Sequence, residues 1–186
     1  MDQRRLIESA REGDHDAFAT LLDARLPRLD AAARLILRDA ELARDAVQEA
    51  LIRAWRDLPG LREPDRFDAW LHRLLVNACL DLIRRRKRRV VEVPILPIDR
   101  AAPHDVASSL ADRQVIDEAL ARLDPGHRAV VAMHYLLGVS QPEIAQALGI
   151  PRGTVKSRLH YALAAMRTSM TEAPDDLPAV TEGGLA

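Results

Sequence analysis

Residues 140–160, Ser-Gln-Pro-Glu-Ile-Ala-Gln-Ala-Leu-Gly-Ile-Pro-Arg-Gly-Thr-Val-Lys-Ser-Arg-Leu-His, leave the chain very few ways to fold in that stretch. Ser140 and Glu143 have the spacing of a capping box, so a helix starts there. Pro142 falls in its first turn, where a missing N–H costs nothing. Gly149 stands where a helix C-cap is expected, just after Ala145 and Leu148 on the apolar stripe. A second helix opens around Arg152–Thr154. It carries Val155, Leu159 and Leu163 inward, and Arg152, Lys156, Ser157 and Arg158 outward. Two short helices across a tight turn, the second basic on its polar face, form a helix-turn-helix pattern. The second helix of such a pair enters the major groove of duplex DNA. The candidate readers of base edges and phosphates are Arg152, Thr154, Lys156, Ser157, Arg158 and His160. Arg and Lys suit guanine edges and phosphates, and the hydroxyls can donate to either.

The rest of the chain carries a helical period throughout. Aromatic residues make up only 3% of it, so the core must be built mainly from Leu, Ala, Val and Ile. The sequence therefore predicts an all-α protein. Helices are expected over about Gln3–Arg11, from about Asp16, and through Leu29, Ala32, Ala33 and Ile36. A long helix follows Asp39 as N-cap, with Val47, Leu51, Ala54, Trp55 and Leu58 on one face. Pro59-Gly60 ends it, and a polar loop, Leu61–Asp65, leads to another long helix from about Arg66. Its apolar stripe is Phe67, Trp70, Leu71, Leu74, Ala78 and Leu82. Residues 90–111, with Pro94, Pro97 and Pro103 and no helical period, read as a flexible linker. Helices return from about Asp112, one of them opening at Asp124-Pro125. The prediction is two small helical domains, 1–89 and 112–170, the second containing the helix-turn-helix. Residues 171–186 read as a disordered acidic tail.

A formal net charge of −1 alone argues against a nucleic-acid binder, but its distribution reverses that reading. Residues 59–89 hold nine Lys/Arg against four Asp/Glu, and 151–170 hold four Lys/Arg and no acid. Two basic islands in an otherwise neutral or acidic chain imply two separate DNA contacts. Within the first island, Arg84-Arg-Arg-Lys-Arg-Arg89 exceeds what a favourable helix C-terminus needs and is read as a phosphate contact. The helix from Asp39 to Leu58 has the opposite character. Asp45, Gln48 and Glu49 lie together on its polar side and would repel DNA; taken alone they read as a solvated face, while the charge distribution of the whole chain implies at least one contact of another kind.

Cys79 is the only cysteine, which excludes an intramolecular disulfide and fits a reducing cytoplasm. Its apolar neighbours make it a buried structural thiol. Met-Asp-Gln-Arg-Arg is followed by no apolar run and no stretch approaches membrane-spanning length, so neither export nor membrane insertion is expected. The six His are scattered, none at metal-ligand spacing, and no phosphate loop, nucleophile elbow or acid pair stands out. No metal, cofactor or enzymatic activity is expected.

The residues resemble a known family. Asp45-Ala-Val-Gln-Glu-Ala-Leu-Ile-Arg-Ala-Trp55 is similar to the Asp-x-Val-Gln-Glu-x-Phe-x-Arg-Ala-Trp segment of bacterial sigma-70 family factors. Phe67-Asp-Ala-Trp-Leu-His-Arg-Leu-Leu-Val-Asn77, with Asp81 and the Arg run, resembles their next block. Leu120-Ala-Arg-Leu-Asp-Pro-Gly-His-Arg-Ala-Val-Val and the helix-turn-helix resemble their C-terminal domain. The size and two-domain layout look like the extracytoplasmic function (ECF) subgroup. The resemblance implies a sigma factor that directs promoter recognition and strand opening. Asp45, Gln48, Glu49 and Arg53 would then dock on the β′ coiled coil of core RNA polymerase, with the β subunit as a further contact. Arg62, Arg66 and Asn77 would capture the unpaired −10 strand, with Arg84, Arg85, Arg86, Lys87 and Arg88 on nearby phosphates. The helix-turn-helix would read the −35 duplex, and an anti-sigma factor is implied as a further partner. Leu51 stands where the family carries Phe, and Tyr161 where an Arg is frequent in the recognition helix. Two other readings of the residues stay open. One is a stand-alone helix-turn-helix regulator with an N-terminal dimerisation or effector domain, the other a helical adaptor with no DNA role.

Overall fold

A computed structural model of the chain describes residues 2–92 and 110–171, and every regular element among them is helical. The N-terminal lobe comprises α1 (Gln3–Arg11), α2 (His15–Asp23), α3 (Leu26–Leu37), α4 (Ala40–Asp57) and α5 (Phe67–Glu92). The C-terminal lobe comprises α6 (Leu110–Ala121), α7 (Pro125–Val131), α8 (Gln141–Leu148) and α9 (Arg152–Thr171). The expected linker and tail lie almost wholly outside the described residues.

Local chemistry accounts for most helix boundaries. Asp14, Asp39 and Asp124 cap α2, α4 and α7, each carboxylate accepting from two backbone N–H groups one turn ahead. Gly149 ends α8 at φ 63°, in the left-handed region that glycine enters without strain. One end departs from the sequence expectation. The helix α5 runs to Glu92 rather than stopping at Arg89. Pro94 disfavours helical backbone only at the residue before it, so Val90–Glu92 are free to continue the helix. The helix α3 ends at Arg38 with φ 55°, the only non-glycine left-handed residue among those described.

The face that α4 buries agrees with the expected one at Ala54 and Leu58 but is centred on alanines. Ala43, Ala46, Ala50 and Ala54 are fully buried, as is Leu58 just beyond, while Val47, Leu51 and Trp55 are only partly covered. A stripe of alanines lets α4 lie close against α3 and α5, and the larger side chains seal its flanks. Trp55 stacks on His15 at 4.3 Å between ring centres and meets Phe18 at 5.0 Å. In α5, Phe67, Leu71, Leu75, Val76 and Cys79 form the buried stripe, and Trp70, Leu74 and Leu82 border it. Burial pushes the Cys79 thiol up to about 12, so it stays protonated at neutral pH.

The two lobes pack against one another. One apolar cluster runs from Leu6 in α1 to Leu159 in α9. The helix α3 packs against α7 and the wide helical turn 132–136, and α5 packs against α7 and α8. Arg128 is the only buried charged residue among those described, and it crosses this junction. Its Nε donates to the Ile36 carbonyl at 2.9 Å, and Nη1 donates to the Leu123 carbonyl. The free carbonyls of helix ends supply partial negative charge, which offsets the desolvation of the guanidinium.

Candidate nucleic-acid interface

The helix-turn-helix forms as its residues dictate. The Ser140 backbone N–H donates to Glu143 Oε2 at 3.1 Å, and its hydroxyl donates to the same oxygen. These bonds hold the Glu143 carboxyl below its ordinary value. The turn closes through Ile150 N–H on the Ala145 carbonyl at 3.1 Å, and α9 opens with Thr154 N–H on Pro151 at 2.9 Å. Val155, Leu159 and Ala162 are buried and fix the rotation of α9; Leu163, expected inward, is only partly covered. That rotation leaves Arg152, Lys156, Ser157 and His160 exposed along one side. Thr154 is half-buried, and its carbonyl accepts from the Ser157 hydroxyl at 3.1 Å. Arg158 is turned toward the start of α7. A Cβ at Gly126 would meet its Nη1 at 3.0 Å, so the absence of a side chain there makes room for the guanidinium. Tyr161 is 58% exposed and packs its ring against His127 at 4.9 Å between centres. It adds an aromatic surface beside the basic one.

A second basic surface lies between the lobes. Arg62, Arg66 and Arg73 line a cleft of about 190 Å³ together with Trp70 and the carboxylates Glu63 and Glu143, and Arg66 lies 3.9 Å from Glu63. Trp70 also packs against the core, as its place in the apolar stripe leads one to expect, whereas Arg73 is exposed and carries no sequence expectation. The spacing of Arg66, Trp70 and Arg73, four and then three residues apart, is the signal that puts them on one helix face. Asn77, one further turn along α5, is half-buried and does not line the cleft. Beside the cleft, burial holds the His72 imidazole below its ordinary value, and Arg25 and Arg28 add to the effect. In the basic run, Arg84 pairs with Asp81 at 2.8 Å and Arg86 lies 3.7 Å from Asp39. Arg85, Lys87 and Arg88 are exposed.

The acidic face of α4 stands apart from both. Asp45, Gln48 and Glu49 are exposed. Arg53 is turned inward: it pairs with Glu49 at 2.7 Å and lies 3.7 Å from Asp81, so it bridges α4 to α5. Ile52 is 55% exposed on the same side of α4, three residues from Glu49 and four from Gln48. An isolated apolar side chain on a polar helix face was the overlooked signal in that segment.

Residues 21–89 match the family model for sigma-70 region 2, and residues 113–166 match that for sigma-70 region 4. The ECF RNA polymerase sigma factor SigL of Mycobacterium tuberculosis is 42% identical over 139 residues, covering 72% of this chain and 77% of SigL. The chain belongs to the ECF sigma factors. It is thus an initiation factor that binds core RNA polymerase and directs transcription from specific promoters. The stand-alone regulator is not favoured, because the matched pair of regions spans both lobes of this sigma factor. SigW of Bacillus subtilis is 28% identical over 181 residues, with 91% of this sigma factor and 97% of SigW covered. Among solved structures, RpoE of Bartonella quintana in complex with the anti-sigma factor NepR superposes with a TM-score of 0.75 at 27% identity. That match covers 84% of this chain and 98% of RpoE. CnrH in complex with the cytosolic domain of CnrY gives 0.65 at 28% identity, over 93% of this chain and all of CnrH. No helix among the described residues is long and apolar enough to cross a membrane.

Proposed function

We propose how this sigma factor divides its work among its surfaces. The N-terminal lobe, residues 1–89, serves polymerase docking and the −10 element, and the C-terminal lobe, 112–170, serves the −35 element. Asp45, Gln48 and Glu49 meet the β′ coiled coil, with Arg53 holding Glu49 in place and the β subunit as a further contact. Arg62 and Arg66 take the unpaired −10 strand, Asn77 extends that site along α5, and Arg84–Arg88 hold neighbouring phosphates. Arg152, Lys156, Ser157 and His160 read the −35 duplex, with Thr154 at the edge of that face and Arg158 at the side nearest α7. The protein acts in the cytoplasm without chemistry of its own, and an anti-sigma factor restrains it, as one binds RpoE in its solved complex. The observation that carries this reading is the separation of faces: an exposed acidic cluster on α4, distinct from a basic exposed side on α9.

The −35 assignment has a direct test. Removing Arg152 or Lys156 is expected to weaken duplex binding by the polymerase holoenzyme across sequences. Each loss should also lower the slope of log affinity against log salt by about one. Fluorescence anisotropy over a salt series reads both effects. Unchanged slopes would assign −35 contact to another surface.

A further inference from the structure

One aromatic side chain stands on the exposed side of α9. Tyr161 follows Ser157 by one turn and is 58% exposed. Its ring is held from α7, where it meets the His127 ring at 4.9 Å between centres and an interplanar angle of 50°. That separation is within the range of favourable ring contacts. His127 is fixed in turn by Asp124. The same carboxylate pairs with His127 Nδ1 and caps α7, accepting from the Gly126 N–H at 2.7 Å. The cap of α7 thus sets, through His127, where the Tyr161 ring lies. Arg158, three residues before Tyr161, is turned to the same side, with its guanidinium beside Gly126.

Position along the helix decides what such a side chain can meet. Base edges are reached from the first turns of a recognition helix. Tyr161 lies nine residues past Arg152, about 13 Å along the axis at 1.5 Å per residue. That exceeds the major groove width of about 12 Å, so the side chain stands at the groove rim, where the phosphates are. A phenol hydroxyl can donate to a phosphate oxygen, yet it releases no counterion as Lys or Arg would. We propose that Tyr161 is an uncharged phosphate contact of the −35 duplex, its hydroxyl donating to a backbone oxygen at the rim, with His127 and Asp124 as positioning residues. The proposal rests on the reading of α9 as the −35 helix. Such a contact adds affinity that salt does not erode and that is blind to sequence.

The test is fluorescence anisotropy of the polymerase holoenzyme on labelled duplexes, taken from genomic fragments that it retains, over a salt series. Tyr161→Phe removes only the hydroxyl of an exposed residue, so folding is preserved. It should weaken binding about fivefold to tenfold on every duplex, the loss of one hydrogen bond to a charged group. The slope of log affinity against log salt should stay as in the wild type. Tyr161→Arg should regain the affinity and steepen the slope by about one. His127→Ala should lose affinity at unchanged slope, and His127→Phe, which keeps a ring against Tyr161, should restore it. Wild-type affinity in Tyr161→Phe would overturn the contact, and an unchanged slope in Tyr161→Arg would place the side chain away from phosphates. A loss confined to duplexes that share one base pair would make Tyr161 a base reader and overturn the phosphate assignment. If His127→Phe does not restore binding, the positioning role fails. Removing Arg152 or Lys156 on the same duplexes separates this proposal from the reading beneath it. Loss there without loss in Tyr161→Phe sinks the phosphate contact alone, whereas no loss in any variant sinks the −35 assignment of α9 as well.

Discussion

Replacing Asp45 and Glu49 together by Lys is expected to abolish binding to core RNA polymerase while leaving the helical content unchanged. Both side chains are exposed, and Asp45 makes no contact on which the fold depends. Glu49 pairs with Arg53, but Arg53 keeps Asp81 as a second carboxylate, so α4 remains tied to α5. Reversing two charges at an interface replaces attraction by repulsion and leaves partner charges desolvated. That costs several kcal/mol, which is on the order of 100-fold or more in affinity. Circular dichroism and a core-binding titration on the same samples separate the two effects. Loss of helicity would make these residues structural, and unaltered binding would move the docking face elsewhere. Ile52 lies on the same side of α4, and its removal should weaken docking by less, since it loses apolar contact without adding repulsion.

The second large effect is on stability. Arg128→Met keeps the apolar stem of the side chain but removes the guanidinium that spans the lobes. The carbonyls of Ile36 and Leu123 then lose their donor in a buried setting. Each orphaned carbonyl costs about 1–3 kcal/mol, offset in part because a cation no longer has to be buried. A net loss of about 2–4 kcal/mol follows, read as a lower midpoint in urea unfolding followed by circular dichroism. If the midpoint is unchanged, the lobes do not depend on this residue. Arg38, whose hydrogen bond is exposed, should cost far less when removed.

What could be read from the sequence was what local chemistry decides. The Ser140–Glu143 box, Gly149 at its left-handed φ and the Asp39 and Asp124 caps are short-range features, and the structure contains each of them. The exposed acidic face of α4 was legible in the same way. Features set by distant contacts were not. Arg128 meets a carbonyl 92 residues away, and no periodicity announces such a partner. Arg158 looked like one more cation on a basic helix, yet a glycine at the start of α7 gives its guanidinium a place to lie. Beyond Ala54, the alanine face of α4 was hidden because hydrophobicity draws attention to Val47, Leu51 and Trp55, whereas close helix approach selects small side chains. The end of α3 at Arg38 carries no glycine or asparagine to mark it. The cleft escaped notice for a related reason, since its two walls come from lobes that the sequence presents as separate.

Promoter-directed initiation is the central claim, and run-off transcription tests it most directly. Core RNA polymerase with this protein, on templates selected from genomic fragments that the holoenzyme retains, should yield discrete transcripts. Omitting the protein should remove them, and supplying the Asp45→Lys, Glu49→Lys variant in its place should do the same. If no discrete start appears with the wild-type protein, and core polymerase does not retain it, the sigma-factor account is wrong.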